Sequence, residues 1–271
     1  MFFLILYIRF DRVKKMKFPL IISISNFNIN AHFIFEALSY FVGFRAYLML
    51  KPQSSLTKTQ QLLIMMSAII GASLGSKALY WLEDPYLLLK NWTNPVMWLA
   101  GKTIAGGLIG GWIGVEIAKN RMKILERTGD AFVIPLIIGM SVGRLGCFFA
   151  GLEDHTYGIE TSWRTGIDFG DGIYRHPTSL YEIAFLLSLI PIGLMVRYLN
   201  KKNILMIKNG GYFQLFFLAY FLFRFMIEFI KPTPHIYYGL NNIQVASAIV
   251  VLVIFYLIKK HEFLQYNKIG D

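Results

Sequence analysis

AFVIPLIIGMSVGRLGCFFA, residues 131–150, holds a single charge, Arg144. As a helix this stretch is about 30 Å long, the thickness of bilayer hydrocarbon. Six more apolar runs of similar length surround it: His32–Leu50, Leu62–Leu82, Pro95–Ala118, Leu180–Val196, Tyr212–Ile230 and Asn242–Ile258. Runs this long exclude a β-barrel, whose strands show about ten alternating residues each. The expected fold class is therefore an all-α integral membrane protein with seven transmembrane helices. The chain has 271 residues, 55% hydrophobic and only 16% charged, against about a quarter charged in soluble domains. Disordered and collagen-like chains are excluded. The net charge of +11 would suggest nucleic acid in a soluble protein, but here the cations cluster between apolar runs, so it reads as membrane orientation.

The connections after the first, third and fifth runs, with the C-terminal tail, carry Lys51, Lys58, Lys119, Arg121, Lys123, Arg127, Arg197, Lys201, Lys202, Lys208, Lys259, Lys260 and Lys268. The opposite connections carry Lys90, Arg164, Arg175 and Lys231. The positive-inside rule then places the C-terminus in the cytoplasm and the start of the first helix outside. Met1–Ile8 followed by Arg9, Arg12, Lys14, Lys15 and Lys17 opposes that topology. The apolar part is too short to span, and its charges follow it, unlike a signal peptide. Residues 1–16 are read as an extension, with Met16 a second plausible start, ahead of one membrane-embedded domain over 17–271. Gly151–Thr178 is a long loop, an expected outer-side subdomain, in which Thr165–Phe169 and Ile173–Arg175 flank a Gly170-Asp171-Gly172 turn and suggest a hairpin.

Gly106, Gly110 and Gly114, with Gly71 and Gly75, repeat every four residues. Such faces let helix backbones approach closely; the other reading is a groove for lipid. Charges inside apolar runs cost about 2.5–3.5 kcal/mol each at a helix centre, so they face a cavity or a partner. Arg45 and Lys77 lie near helix ends and can snorkel. Tyr220, Arg224 and Glu228 share one helix face. An internal Arg224–Glu228 pair is the plain structural explanation, but a guanidinium facing a phosphate headgroup explains an intramembrane arginine better. Arg144 sits between Gly143 and the Leu145-Gly146 pair, with Glu153, Asp154 and His155 at the helix exit. His32 and Glu36 are spaced like paired metal ligands, yet two ligands do not make a site; an orienting His–Glu hydrogen bond is expected, with no metal and no cofactor. The single cysteine, Cys147, excludes an internal disulfide. Ser179-Leu-Tyr-Glu182 reads as a capping box for the fifth helix.

Four motifs, in order, resemble the prolipoprotein diacylglyceryl transferase family. They are Gly106-Gly107-Leu108-Ile109-Gly110-Gly111; Gly143-Arg144-Leu145-Gly146 with Cys147, Glu153 and Gly158; Arg175-His176-Pro177-Thr178-Ser179-Leu180-Tyr181-Glu182; and Tyr220 with Arg224-Phe225 and Glu228-Phe229, followed by Asn241 and Gln244. The resemblance implies transfer of the diacylglyceryl group of phosphatidylglycerol to the lipobox cysteine of a preprolipoprotein, in a bacterial cytoplasmic membrane, with that protein's signal peptide as partner. It implies that Arg144 and Arg224 bind and polarise phosphate, that Glu228 orients Arg224, and that Tyr220 bonds the headgroup. Glu153, His176, Tyr181, Gln244, Gly106 and Gly107 are implied as substrate-binding.

The chain departs from the family at Ala105, where a histidine is usual, and at Cys147 and Ala150, where asparagines are usual. A base must then come from Glu36, His32 or His176. Glu36 ranks first, because a carboxylate drawn out of water is a stronger base. The alternatives are a related phospholipid-dependent transferase with another acceptor and a non-catalytic lipid-binding or transport protein. Transport would be favoured by inverted repeats, and the sequence has no such symmetry. A seven-helix receptor has only its helix count in support.

Overall fold

The computed structural model describes residues 16–24, 27–50, 54–99, 101–202, 204 and 207–266. The expected extension lies outside the described residues apart from Met16. A short hairpin, β1 (Ile21–Ile24) and β2 (Phe27–Asn30), leads into α1 (Ala31–Leu50). There follow α2 (Lys58–Trp81), α3 (Pro85–Lys90), α4 (Pro95–Leu99), α5 (Ile104–Arg121) and α6 (Val133–Ala150). Strands β3 (Ile167–Asp168) and β4 (Tyr174–Arg175) precede α7 (Thr178–Lys201), α8 (Gly211–Ile227) and α9 (Asn242–Tyr266).

Among the described residues, six helices are long and apolar enough to cross a membrane. In hydrocarbon every backbone polar group must be satisfied within the segment, which favours unbroken helices over these runs. The run expected over Pro95–Ala118 is instead divided. Gly101 adopts a left-handed φ of +60°, and Thr103 caps α5 by accepting from Gly106 N at 3.2 Å. Capping and the glycine turn thus override the apolar continuity of the sequence. The resulting α5 has 18 residues and carries Glu116, Lys119 and Arg121 in its second half.

Two compact units interleave along the chain. The first takes residues up to Lys51, Ala131–Lys208 and Ile230–Pro232; the second takes Pro52–Asp130, Asn209–Phe229 and the residues from Thr233 onward. In the first unit α6 packs against α1 and α7. A Cβ on Gly146 would lie 2.9 Å from Phe35 Cβ and 3.1 Å from the His32 carbonyl oxygen. The missing side chain at 146 is therefore what lets the start of α1 close on α6. The loop after α6 folds back as expected: β3 and β4 pair antiparallel, and Asp168 Oδ1 accepts from the backbone N–H groups of Gly170, Asp171 and Gly172 at 2.8–3.1 Å. Phe148, Ile167 and Phe169 pack with Phe18 and Tyr157 and seat this hairpin on the end of α6.

In the second unit α2 and α5 pack through their glycines. A Cβ on Gly110 would lie 2.1 Å from the Gly71 carbonyl oxygen, and one on Gly106 would lie 2.3 Å from that of Gly75. The small-residue faces are consumed by helix packing. Ser76 Oγ fixes the register by donating to the Thr103 carbonyl and accepting from Thr103 N, both at 2.9 Å. Helix α8 packs against α9 in the same unit.

Candidate active site

The second unit builds one polar cluster, from the end of α8 and the start of α9. Four-residue spacing puts Tyr220, Arg224 and Glu228 on one face, and all three are almost wholly buried. Arg224 Nη2 donates to Glu228 Oε1. The other carboxylate oxygen, Oε2, accepts from Asn241 Nδ2 at 2.9 Å and from Thr233 Oγ1 at 3.4 Å. Asn241 is itself locked. Its Oδ1 accepts from Gln244 N at 2.8 Å, while Gln244 Oε1 accepts from Asn241 N at 2.9 Å. This reciprocal pair is a capping box at the head of α9. Gln244, expected to bind substrate, thus holds Asn241, which holds Glu228, which holds Arg224. Such a chain fixes the guanidinium plane, and a fixed fork is what recognition of a phosphate requires.

The first unit builds a second cluster around Arg144. Arg144 Nε pairs with Glu182 Oε2 at 2.9 Å, and the two side chains are 7% and 2% exposed. The capping box expected at Ser179 and Glu182 is absent: α7 starts after Pro177 with no side-chain cap bond. A buried guanidinium needs a counter-charge far more than a helix end needs one more acceptor, so Glu182 turns to Arg144. Glu153, implied to hold Arg144 or substrate hydroxyls, accepts from Asn30 Nδ2 at 2.8 Å. His32 Nε2 lies 3.7 Å from Glu36 Oε2, longer than the hydrogen bond expected there, while its Nδ1 faces Asp154 Oδ1 at 3.6 Å. Arg144 Nη1 reaches Cys147 Sγ at 3.5 Å.

His176, in the loop that precedes α7, stands beside Tyr181 in the first turn of that helix. His176 Nδ1 lies 3.2 Å from the Tyr181 hydroxyl, which lies 2.7 Å from Thr165 Oγ1. Trp163 packs edge-on against the imidazole. Burial pushes the His176 pKa below its ordinary value, so the ring is neutral at pH 7. In the second unit Ala105 is buried, 2% exposed, and Gly106 is closed off by Gly75 and Leu79 of α2. Gly107 has room: a Cβ there would come no closer than 3.8 Å to any neighbour.

Three residues central to these clusters were given no settled role by the sequence: Glu182 and Asn241 stood only within motifs, and Asp154 only as a competitor of Glu153. For Asn241 the signal was present, since Asn-x-x-Gln before an apolar run is a cap pattern. For Glu182 and Asp154 it was not, because their partners lie on other elements.

The profile of the family described as prolipoprotein diacylglyceryl transferase matches residues 19–259. A protein of Clostridium perfringens named phosphatidylglycerol–prolipoprotein diacylglyceryl transferase 2 is 29% identical over 200 residues, covering 68% of this chain and 72% of that protein. A phosphatidylglycerol–prolipoprotein diacylglyceryl transferase of Pasteurella multocida is 32% identical over 183 residues, covering 64% of this chain and 62% of its own length. One of Rickettsia bellii is 32% identical over 254 residues, covering 86% of this chain and 92% of its own. With a match that spans nearly all of its described helices, the chain belongs to the prolipoprotein diacylglyceryl transferase family.

Proposed function

We propose that the protein transfers the diacylglyceryl group of phosphatidylglycerol to the thiol of a lipobox cysteine in a preprolipoprotein, from within the bacterial cytoplasmic membrane. The observation that carries this reading is the buried Arg224–Glu228–Asn241–Gln244 chain, an arginine fixed inside an apolar helix pair of a protein of this family. The acceptor sulfur attacks the glyceryl carbon next to the phosphate. An S–C bond forms, the C–O bond breaks, and glycerol phosphate leaves with the electron pair. Within its own unit, Arg224 offers a guanidinium suited to phosphate oxygen, where negative charge grows as the leaving group departs, and Arg144 is a second such donor in the first unit. Glu228 aligns Arg224, Tyr220 bonds the headgroup, and Glu182 aligns Arg144. With Ala105 unable to take a proton, Glu36, supported by His32, serves as the base. Gly107, Glu153, His176 and Tyr181 contact the substrates, with the loop over 151–178 on the outer face where the signal peptide arrives. In this topology α5 is the seventh span, the start of α1 lies outside and the C-terminus lies in the cytoplasm.

The test is to give purified protein phosphatidylglycerol and a lipobox peptide and to analyse the peptide by mass spectrometry. A thioether-linked diacylglyceryl peptide is expected. An unmodified peptide with a new lipid product carried by another acceptor would support the alternative transferase. No product from any acceptor would support lipid binding without catalysis.

A further inference from the structure

We propose that His32, Cys147 and Asp154 form a site for one thiophilic divalent cation of the zinc class, with its fourth position open to a thiol. One ring nitrogen of His32, the Cys147 sulfur and an Asp154 carboxylate oxygen all lie within 4.8 Å of one another, and all three residues are half-buried. Around a tetrahedral zinc ion such ligand atoms stand about 3.3–3.6 Å apart. The His32 Nδ1 to Asp154 Oδ1 distance is 3.6 Å, so that edge is already formed. Closing the rest takes about 1 Å of side-chain movement, given metal–ligand bonds of about 2.0–2.3 Å.

The surroundings have the form of an outer coordination shell. His32 Nδ1 is buried and has no hydrogen-bond partner among the described residues. The other ring nitrogen faces the Glu36 carboxylate at 3.7 Å, and a histidine that binds metal through one nitrogen usually gives the other to a carboxylate. Asp154 Oδ2 is held by Thr156 Oγ1 at 2.9 Å, which turns Oδ1 toward His32. The charges also balance. A thiolate and a carboxylate neutralise a divalent ion, and the nearby Arg144 has Glu182 as its counter-charge. Sulfur and imidazole donors select zinc-class ions over magnesium or calcium.

Three protein ligands leave a tetrahedral ion one open position. A thiol that enters it gives up its proton, to Glu36 in the reading above, and binds as thiolate. On the transferase reading, on which this second half rests, that thiol is the acceptor cysteine. Its sulfur then forms the S–C bond as the donor C–O bond breaks, no electron is gained or lost, and the neutral thioether product is a weaker ligand that departs. The site would supply the nucleophile in a chain whose position 105 cannot handle a proton.

The experiment titrates the full chain in detergent micelles with cobalt(II) alone, without phospholipid donor. Cys147 is the only cysteine, so a thiolate-to-cobalt charge-transfer band reports on this residue. One equivalent is expected to bind, with the band abolished in Cys147→Ser and affinity reduced at least tenfold in His32→Gln and Asp154→Asn. Metal stoichiometry of the wild-type protein by native mass spectrometry needs no variant and guards against misfolding. Absence of the band, or equal binding in Cys147→Ser, overturns the site. A lipobox peptide is expected to shift the cobalt spectrum and its cysteine-to-serine analogue to leave it unchanged; equal behaviour of the two overturns the open position. A cobalt shift with no transfer from phosphatidylglycerol would count against the transferase reading alone. Transfer undiminished by chelation in a protein that shows no band would count against the site alone.

Discussion

Replacing Glu228 by glutamine separates the two things that the Arg224 cluster does. Gln keeps the size of the side chain but removes its charge and turns one acceptor into a donor. Glu228 uses one oxygen for Arg224 and the other for Asn241 Nδ2, so the new amide must face a donor on one side. Arg224 is 3% exposed and Glu228 is 0% exposed, so water cannot relieve either conflict. Removing one partner of a buried pair costs about 3–5 kcal/mol, or about 10²–10³-fold or more in the folded-to-unfolded ratio. Adding Arg224→Met removes the stranded cation as well, and exchanging a whole buried pair for groups of similar volume is often neutral. The expected result in denaturant unfolding is a marked loss of stability for Glu228→Gln, with most of it recovered in Arg224→Met/Glu228→Gln. The recovered protein should still lack transfer activity. A double variant that is stable and turns over normally would refute the view that Arg224 is held in place for phosphate.

Three further outcomes follow from the geometry. Gly110→Ala would put a methyl group 2.1 Å from the Gly71 carbonyl oxygen, which forces α2 and α5 apart; a loss of about 3 kcal/mol or more should appear in thermal unfolding, whereas Gly193→Ala, with open space around it, should have little effect. Glu182→Gln should lower turnover while leaving α7 intact by circular dichroism, since its carboxylate serves Arg144 and not the helix cap. The His176 pKa is depressed by burial, so the unfolded chain binds the proton more readily; the stability that the neutral ring contributes is present above the ordinary histidine value near 6.5 and is lost as pH falls below it. Wild-type protein should therefore lose more stability than His176→Gln as pH drops from 7.5 to 5, and parallel curves would exclude that contribution.

What the sequence revealed was local. The intramembrane cations Arg144 and Arg224, the face shared by Tyr220, Arg224 and Glu228, the β3–β4 hairpin and the four-residue glycine spacing could each be read from neighbours along the chain. What it hid was pairing across elements. Ser179 and Glu182 match the spacing of a cap, but the spacing says nothing of a guanidinium arriving from α6 with a stronger claim on the carboxylate. Conversely, Gln244 looked like a ligand because of the company it keeps in the family motif, although Asn-x-x-Gln carries the cap pattern in plain view. Cys147, His32 and Asp154 sit on three different segments, and only the close approach permitted by Gly146 brings them together. The division of the Pro95–Ala118 run was masked by its uniform apolarity, although Gly101 and Thr103 mark the break.

The most direct test of the account is the turnover of Arg224→Lys, measured as glycerol phosphate released from phosphatidylglycerol in the presence of a lipobox peptide, on protein shown to be folded. Lysine keeps the charge opposite Glu228 but cannot present two parallel donors to a phosphate. The account predicts a fall of about 10²-fold or more, the size expected when a preorganised donor to a developing anion is lost, and close to that of Arg224→Ala. Turnover of Arg224→Lys near the wild-type rate would contradict it and reduce Arg224 to the counter-charge of Glu228.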